Sequence, residues 1–420
     1  MVKLVYVLLD GVGDLPHPSL NELTPLEAAY TPNMDFLARN GVMGNVYSVG
    51  KGIAPESDIA VFSMLGYRFK HEDYVGRGVI EAIGSDVDFR DGDLALRGNF
   101  ATIDNKLNII DRRAGRDIEK TEAETLSKAI SDGVKLTDGS FVLKPTTGHR
   151  LVLNIRSDKG KLFSEISNTD PAYGRVKGMG VAKPVGKKLK LTECKPLDKT
   201  DSSRLSAKLV NEFTRKSLKI LKEHEVNKNR KSAGKMEINC ILLRDAGSRM
   251  PVLEPISKAH GISFACIVDM PVERGIAKIA GMPTFDAGGI NDYEQKADVT
   301  AKCLAQYDAV YVHIKGPDEY GHDGDAKGKK KSIEEIDRRF FDPLLDLINI
   351  ENTAVAISGD HSTPCIKKGH SDDPVPLLLA GKMIKHDNSA RFAESYAVKG
   401  SLGVMQGYEV LNRILHLIKS

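Results

Sequence analysis

The 420-residue sequence contains no tryptophan, only 6% aromatic residues and only five cysteines. The cysteines form an odd-numbered set without a C-x-x-C pair, and Cys240, Cys266 and Cys303 lie among apolar residues. Thiols in such surroundings are typical of buried core positions. This pattern favours a cytoplasmic protein over a disulfide-bonded, secreted one.

Long apolar runs and an excess of charge of one sign are also missing. No stretch approaches the roughly 20 apolar residues that a membrane span needs. The formal net charge is only +3, because 60 basic residues face 57 acidic ones. We therefore expect neither a membrane protein nor a general nucleic-acid binder. The sequence gives no indication of the oligomeric state.

The length and the order of short apolar runs indicate an α/β protein with an insertion. A chain of this length usually forms more than one domain. Runs that alternate with helical patterns predict a doubly wound, mostly parallel sheet. From Tyr67 the segments become short, alternating and rich in Gly and Asp, which favours antiparallel pairing. We predict an outer domain of residues 1–66 and 252–420, interrupted by an inserted α+β domain of residues 67–251. The strands predicted for the α/β pattern are Val5–Leu9, Val42–Val49, Ile238–Leu243, Ile262–Val268, Ala309–Ile314, Thr353–Ser358 and Pro376–Ala380.

Three polar or amphipathic segments carry further local predictions. Ser203–His224 has the apolar spacing of a helix, and the polar, basic segment Asn227–Lys235 is predicted to be a flexible connector. The basic run Lys327–Lys331 is predicted to be a solvated helix face.

Carboxylates and imidazoles follow several of the predicted strands directly. They are Asp10, Asp318, His322, Asp360, His361 and His370. Side chains at the carboxyl ends of parallel strands converge on one crevice of an open α/β sheet. Oxygen and nitrogen ligands without thiolates suit Mn, Mg or Zn. An isolated Asp318/His322 pair would be explained more simply as a helix cap with exposed polar side chains. The combination of six such positions favours a metal site.

A nucleophile candidate lies in the segment Ala54-Pro-Glu-Ser-Asp58. Ser57 stands at the start of a predicted helix, where an N-cap serine is the simpler interpretation. A metal beside it would lower the pKa of the hydroxyl, and a helix N-terminus favours the negative charge of alkoxide and phosphate. The histidine inside a predicted strand, His313, is expected to be a core imidazole.

Taken in order, these residues resemble the alkaline phosphatase superfamily and, within it, the archaeal-type cofactor-independent phosphoglycerate mutases. The stretches that carry the resemblance are Leu8-Leu-Asp-Gly-Val-Gly13, Ala54-Pro-Glu-Ser-Asp58, Asp111-Arg-Arg-Ala-Gly-Arg116, Pro317-Asp-Glu-Tyr-Gly-His-Asp-Gly-Asp325 and Gly359-Asp-His-Ser362. The similarity runs along essentially the whole chain.

The resemblance implies two divalent metal ions, with Mn, Co, Zn and Mg as candidates. One ion would be held by Asp318, His322 and His370, and the other by Asp10, Ser57, Asp360 and His361. It further implies that Ser57 accepts the phosphoryl group of one phosphoglycerate isomer and returns it to the other hydroxyl of glycerate. No bisphosphoglycerate cofactor is needed, and the small-molecule phosphoglycerates are the expected partners.

The inserted domain is expected to hold glycerate and to keep water out. Arginine suits this task because its planar fork binds carboxylate and phosphate through two parallel bonds. The candidates in the inserted domain are Asp111, Arg112, Arg113, Arg116, His149, Arg150, Arg244 and Arg249. In the outer domain, Arg274 and Lys315 are candidates for contact with the phosphoryl group. An exposed face of salt bridges is the alternative interpretation for the arginines, and a structural role is the alternative for His149.

Rival functions remain open at this level. Phosphopentomutases and phosphate-ester hydrolases of the same superfamily would share the metal ligands, so the inserted domain is what favours a mutase. A degenerate relative that only binds would have lost a ligand or the serine, and all seven positions are filled.

Overall fold

The computed structural model describes residues 2–68, 74–176, 179–182 and 189–419, with the backbone alone at 175, 176 and 179–182. The strands are β1 Lys3–Leu9, β2 Gly41–Tyr47, β3 Leu94–Ile103, β4 Ile109–Asp111, β5 Gly139–Pro145, β6 Arg150–Ser157, β7 Tyr173–Val176, β8 Met179–Ala182, β9 Cys240–Gly247, β10 Phe264–Ile267, β11 Thr284–Phe285, β12 Ala309–Ile314, β13 Thr353–Gly359, β14 Val375–Ala380 and β15 Gly403–Gln406. The helices are α1 Pro25–Ala28, α2 Pro32–Arg39, α3 Ser57–Met64, α4 Arg77–Gly84, α5 Lys120–Gly133, α6 Asp201–Glu223, α7 Glu225–Ser232, α8 Ile256–His260, α9 Pro271–Ile279, α10 Tyr293–Leu304, α11 Pro317–Asp323, α12 Ala326–Ile336, α13 Asp342–Leu347, α14 Glu394–Ala397 and α15 Gly407–Lys419. Within these ranges, each helix is too short or too polar to cross a membrane.

The chain forms two compact units, and the first contains Met1–Phe69, Leu253–Asp269 and Ile276–Ser420. Its eight-stranded sheet has the order β11-β10-β12-β1-β13-β14-β2-β15. The pairs around β1, β10 and β12 are parallel, and only β14 runs antiparallel to its neighbours β13 and β2. The prediction of a doubly wound, mostly parallel sheet is confirmed.

Burial explains why the strands of this sheet read as unbroken apolar runs. Residues 4–9 of β1 and all of β12 and β13 are buried, because helices cover both faces of a parallel sheet. Phe340 and Phe341 pack edge to face, with ring centroids 5.0 Å apart, in the same core cluster as Val7, Val312 and Ile357. The central strands therefore form a rigid base for the loops at their carboxyl ends.

The second unit contains Lys70–Val252 and Met270–Gly275. Its antiparallel sheet has the order β4-β3-β6-β5, with β9 paired to β3. Helices α5 and α6 pack on it, and Phe213 of α6 meets Phe141 of β5 with ring centroids 5.1 Å apart. The short segment Met270–Gly275 groups with this unit because α4 packs tightly on it: a Cβ on Gly84 would lie 1.7 Å from the carbonyl oxygen of Pro271.

Three local predictions are wrong. The run Ile238–Leu243 leads into β9 of the antiparallel sheet and not into a parallel strand. The prediction failed because an apolar run indicates burial but not the pairing partner. The predicted flexible connector Asn227–Lys235 overlaps α7, where Asn227 and Arg230 are 1% and 2% exposed. The Lys327–Lys331 run begins α12, yet Lys329 is fully buried.

Candidate metal centre and nucleophile

The register of the three central strands aligns the first polar residues beyond them. Leu9 pairs with Ile314 on one side and with Gly359 on the other, so Asp10, Lys315 and Asp360 follow at the same level. Lys315 Nζ donates to Asp10 Oδ2 over 2.8 Å.

A glycine lets the first of these loops approach its neighbours closely. Gly11 has φ +61°, and a Cβ on it would lie 2.7 Å from both Asp318 Oδ1 and Thr363 Oγ1. Its backbone N–H donates to Asp360 Oδ1 over 3.0 Å. Glycine is therefore required here both by the backbone conformation and by the space available.

Thr363 orients the imidazole of His361. Its hydroxyl donates to Asp318 Oδ1 over 2.6 Å and lies 3.0 Å from His361 Nδ1. Because that hydroxyl has a single proton, it must accept from Nδ1–H, which leaves the lone pair of His361 on Nε2. This atom lies 3.2 Å from Ser57 Oγ, 3.5 Å from Asp10 Oδ1 and 3.4 Å from Asp360 Oδ2.

A further group of ligand atoms surrounds Asp318 in α11. His322 Nε2 lies 3.5 Å from Asp318 Oδ2, and His370 Nε2 lies 3.5 Å from Asp318 Oδ1. The ring of His370 stacks on that of His361 with centroids 3.8 Å apart, and its Nδ1 lies 2.7 Å from the carbonyl oxygen of Pro55. The carbonyl group of Pro55, two residues before Ser57, thereby orients the imidazole of His370.

Burial and mutual charge shift the pKa values of these groups. Burial raises the pKa of Asp10 to about 7, with the Asp360 and Asp318 carboxylates adding to the shift and Lys315 opposing it. Burial lowers the pKa of His361 to about 3, so its imidazole is neutral. Although burial opposes the change, the Asp318 carboxylate raises the pKa of His370 to about 9. Burial also opposes the shift at Asp360, whose pKa is lowered by His361 and His313.

The donor set fits divalent cations. Ligand atoms of Asp318, His361 and His370 lie within 4.8 Å of one another, as do those of Asp10, Asp360 and His361. In the part of the chain that the structure describes, Asp10 Oδ1 and Asp360 Oδ2 are buried without a hydrogen-bond partner. Buried carboxylate oxygens are normally paired or bound to a metal. Oxygen and imidazole ligands without sulfur suit Mn, Mg, Co or Zn.

Ser57 does not cap α3. The N-cap is Glu56, and Ser57 is the first helical residue, so the simpler interpretation of this serine as an N-cap is wrong. The residue is 9% exposed, and its hydroxyl contacts Nε2 of His361. Ser57 thus stands in the first turn of α3, at the end of a helix that favours bound anions.

The second unit carries a basic cluster of its own, formed by Arg97, Arg112, Arg244 and His149. Arg112 binds Asp170 through Nε at 3.1 Å and Nη2 at 2.5 Å. The guanidinium groups of Arg112 and Arg244 lie 4.9 and 4.8 Å from the ring centroid of Tyr173.

Arg244 of this cluster has buried hydrogen-bond donors without acceptors. It is 5% exposed, and its Nε and Nη1 have no hydrogen-bond partner among the described residues. The carboxylates of Asp170 and Asp245 lie 3.6 and 3.5 Å away. Burial, reinforced by Arg97, lowers the pKa of Arg244. A buried guanidinium with open donors is prepared to bind an anion.

Both burial and the charges of this cluster act on His149. Burial lowers its pKa to about 3, and the charges of Arg150, Arg244, Arg116 and Arg97 add to the shift. The imidazole is therefore neutral near pH 7.

The other predicted binding residues are placed differently. Asp111 Oδ1 accepts from the backbone N–H of Arg113 over 2.6 Å, which makes it part of a turn. Arg249 is exposed and lines a cavity with Asp91, Lys161 and other residues outside the basic cluster. Arg274 lies in the first turns of α9, and its Nε is buried without a hydrogen-bond partner among the described residues.

Comparison with known proteins identifies the family. A family model described as 2,3-bisphosphoglycerate-independent phosphoglycerate mutase matches residues 38–227. The sequence is 40% identical to a protein of that name from Aeropyrum pernix, over 99% of this chain and 100% of the relative. The chain belongs to the 2,3-bisphosphoglycerate-independent phosphoglycerate mutase family. Its relative from Pyrococcus abyssi is 36% identical over 99% of this chain and 97% of its own.

Solved structures agree with this phosphoglycerate mutase assignment. A cofactor-independent phosphoglycerate mutase from Thermoplasma acidophilum aligns with a TM-score of 0.65 and 30% identity, over 100% of both chains. A protein from Pyrococcus horikoshii aligns with a TM-score of 0.80 and 30% identity, over 100% of this chain and 97% of its own. The resemblance drawn from the motifs is confirmed at the level of the family.

Several residues of this mutase-family site escaped the sequence analysis. Thr363 directly follows the motif Gly359-Asp-His-Ser362, but its hydroxyl gave no reason to expect a role at the site. His313, expected to be a core imidazole, has Nε2 3.4 Å from Asp360 Oδ2. Asp170 and Tyr173 are distant in sequence from the arginines that they contact. The sequence around them, in which Asp170 precedes Pro171, gives no indication of those contacts. Arg97 would have been found from its position in a buried strand, where a charged residue is rare.

Proposed function

We propose that this protein interconverts 2-phosphoglycerate and 3-phosphoglycerate through a phosphorylated Ser57, without bisphosphoglycerate. The observation that carries the proposal is the position of the Ser57 hydroxyl. It lies at a helix start, 3.2 Å from the lone-pair nitrogen of His361, in a chain whose relatives bear the name of this activity.

The proposed reaction has two balanced transfers. In the first, the Ser57 hydroxyl loses its proton and Oγ attacks phosphorus, so that the Oγ–P bond forms and the bond from phosphorus to the substrate oxygen breaks. The departing alkoxide of glycerate takes up one proton, which balances the proton lost by Ser57. In the second, the other hydroxyl of glycerate loses a proton and attacks phosphorus, the Oγ–P bond breaks, and Ser57 Oγ takes up a proton. The N–H groups at the start of α3 stabilise the phosphoryl oxygens in both transfers.

We propose two divalent ions for this centre, with Mn, Co, Zn and Mg as candidates. Asp318, His322 and His370 would hold one ion, and Asp10, Ser57, Asp360 and His361 the other. Bound ions supply Lewis-acid stabilisation of the charge on the attacking and leaving oxygens. Thr363 keeps the lone pair of His361 on Nε2, and Lys315 adds a positive charge beside Asp10.

We propose that the basic cluster of the second unit binds the carboxylate of glycerate. Arg244, whose Nε and Nη1 have no hydrogen-bond partner among the described residues, offers the planar geometry that carboxylates prefer. The positive charges of Arg97, Arg116, Arg150 and Arg244, which add to the lowering of the His149 pKa by burial, also favour an anion.

An enolase-coupled assay free of bisphosphoglycerate tests the reaction. With Mn, Co, Mg or Zn present, we expect conversion of 3-phosphoglycerate without release of inorganic phosphate. Ser57→Ala should lose turnover, whereas Ser63→Ala, a buried serine on the same helix, should retain it. Release of phosphate in place of isomerisation would favour a hydrolase, and appreciable activity of Ser57→Ala would exclude the phosphoserine route.

A matched pair of arginine variants tests the carboxylate site. Arg244→Met should raise KM for 3-phosphoglycerate about 10- to 100-fold, the usual effect of losing bonds to a charged group. Arg249→Met should leave KM within twofold of the parent value, since Arg249 lies outside the basic cluster. NMR titration should show that the pKa of His149 rises when 3-phosphoglycerate binds. An unchanged KM for a folded Arg244→Met protein would argue against this site.

A further inference from the structure

A buried lysine outside the ligand set contacts both loops that carry the metal ligands. Lys329 of α12 is 0% exposed. Its ammonium donates to the carbonyl oxygens of Gly13 and Thr363, each over 3.0 Å, and to Asp14 Oδ2 over 2.8 Å. An ammonium has three protons, so these bonds use its full donor capacity.

The three acceptors belong to the loops that follow β1 and β13. The first loop begins with Asp10 and continues through Gly13 and Asp14, and the second begins with Asp360 and His361 and continues through Thr363. Further bonds join the same loops.

The backbone N–H of Thr363 donates to the carbonyl oxygen of Gly13 over 3.0 Å. The backbone N–H of Cys365 donates to both carboxylate oxygens of Asp14, over 3.1 and 3.2 Å. Lys329 thus stands at the junction of a buried network that holds one ligand loop against the other.

Thr363 links this junction to the metal ligands. Its carbonyl oxygen accepts from Lys329, while its hydroxyl contacts Asp318 Oδ1 and His361 Nδ1. The position of Lys329 therefore determines the backbone position from which the Thr363 hydroxyl orients these ligands.

We propose that Lys329, with Asp14, is a positioning residue that sets the metal affinity of this centre by holding the two ligand loops in register. This inference rests on the metal site advanced under Proposed function. Buried charge-assisted hydrogen bonds are strong and directional, which suits them to this task. Residues that orient metal ligands from behind typically change metal affinity about 10- to 100-fold when they are removed.

The test compares three variants of the full chain by Mn²⁺ titration, with free Mn²⁺ followed by electron paramagnetic resonance. Lys329→Met removes the ammonium but leaves the Asp14 carboxylate buried without its cation, which threatens folding. The double variant Lys329→Met/Asp14→Asn removes that stranded charge and keeps an acceptor for the N–H of Cys365. Lys330→Met is the matched control, because Lys330 is the next residue on α12 and pairs with the partly exposed Glu334.

We expect the double variant to unfold within a few degrees of the parent protein and yet to bind Mn²⁺ about 10- to 100-fold more weakly. The Mn²⁺ concentration for half-maximal activity should rise by the same factor, while KM for 3-phosphoglycerate at saturating Mn²⁺ stays within twofold. Lys330→Met should match the parent in all three measurements.

Two results would overturn the positioning role. One is a folded double variant with parental Mn²⁺ affinity, and the other is failure of both Lys329 variants to fold, which would assign the residue to stability alone. A parent protein that binds no Mn²⁺ would instead refute the metal site itself.

Discussion

The carboxyl group of Glu394 makes the stability of this protein depend on pH in an unusual direction. Glu394 begins α14, where its carboxyl accepts from the Thr24 hydroxyl over 2.7 Å and from the backbone N–H of Asp14 over 3.3 Å. Burial raises its pKa from 4.5 to about 7, and the charge of Glu27 adds to the shift. The folded state therefore binds a proton that the unfolded chain releases.

The sign and size of the effect follow from this difference. Between pH 4.5 and about 7 the folded state holds more protons than the unfolded state, so stability falls as pH rises through this window. The shift corresponds to about 3 kcal/mol at about 1.4 kcal/mol per pKa unit. Because the residue as a whole is half-buried, we expect about 2–3 kcal/mol after solvent screening.

Glu394→Gln should remove this dependence, because the amide resembles the protonated acid at every pH. We expect the variant to gain about 2–3 kcal/mol relative to the parent between about pH 4.5 and 8. Urea unfolding in the presence of a chelator, followed by circular dichroism because the chain lacks tryptophan, measures the difference at each pH. Glu409→Gln, an exposed glutamate in the first turn of α15, is the control and should show no such trend. Parallel stability curves for Glu394→Gln and the parent would refute the argument.

The remaining predictions concern the connector helix and the ligand loops. Asn227→Ala should lower the free energy of unfolding by about 3 kcal/mol, because it removes bonds to the carbonyl oxygens of Leu221 and Ile238 and to the N–H of Ile238. The control Asn229→Ala, at an exposed position of the same helix, should lower it by under about 0.5 kcal/mol. Equal losses would show that α7 is not anchored through Asn227. Thr363→Val should weaken Mn²⁺ binding about 10- to 100-fold in a calorimetric titration, because it frees His361 and Asp318 to turn; an unchanged affinity would contradict its orienting role. Gly11→Ala should abolish Mn²⁺ binding, because the added methyl group would collide with Asp318 and Thr363. Gly52 also has a positive φ, +83°, but no atom lies within 4 Å of the position of its Cβ, so Gly52→Ala should cost only about 1–2 kcal/mol of stability and leave Mn²⁺ binding intact.

Local sequence patterns predicted the elements around the site well. The prediction of a strand over Ala309–Ile314 matches β12, and that over Thr353–Ser358 matches β13 but for its last residue. The helix predicted over Ser203–His224 appears as α6, Asp201–Glu223. These patterns succeed because unbroken apolar runs and helical spacing directly reflect which faces of an element are buried.

Residues whose roles depend on distant partners were predicted poorly. The sequence around Asn227 is typical of a loop, and only its bonds to the backbone of Ile238, just before β9, explain its burial. Lys329 looks like part of a solvated basic run, and only its bonds to Gly13, Asp14 and Thr363 explain its burial. Apolar runs cannot distinguish β9 from a parallel strand, because both are buried on both faces.

The sequence by itself determined the chemistry of this protein: which carboxylates and imidazoles end the strands, and which serine begins a helix. Tertiary structure alone decided how they act together. The register of β1 between β12 and β13 brings Asp10 level with Asp360, and the bond to Thr363 leaves the lone pair of His361 facing Ser57. The partners are some 300 positions apart, as Ser57 and His361 are. Their juxtaposition depends on the packing free energy of the whole sheet, which no local pattern contains.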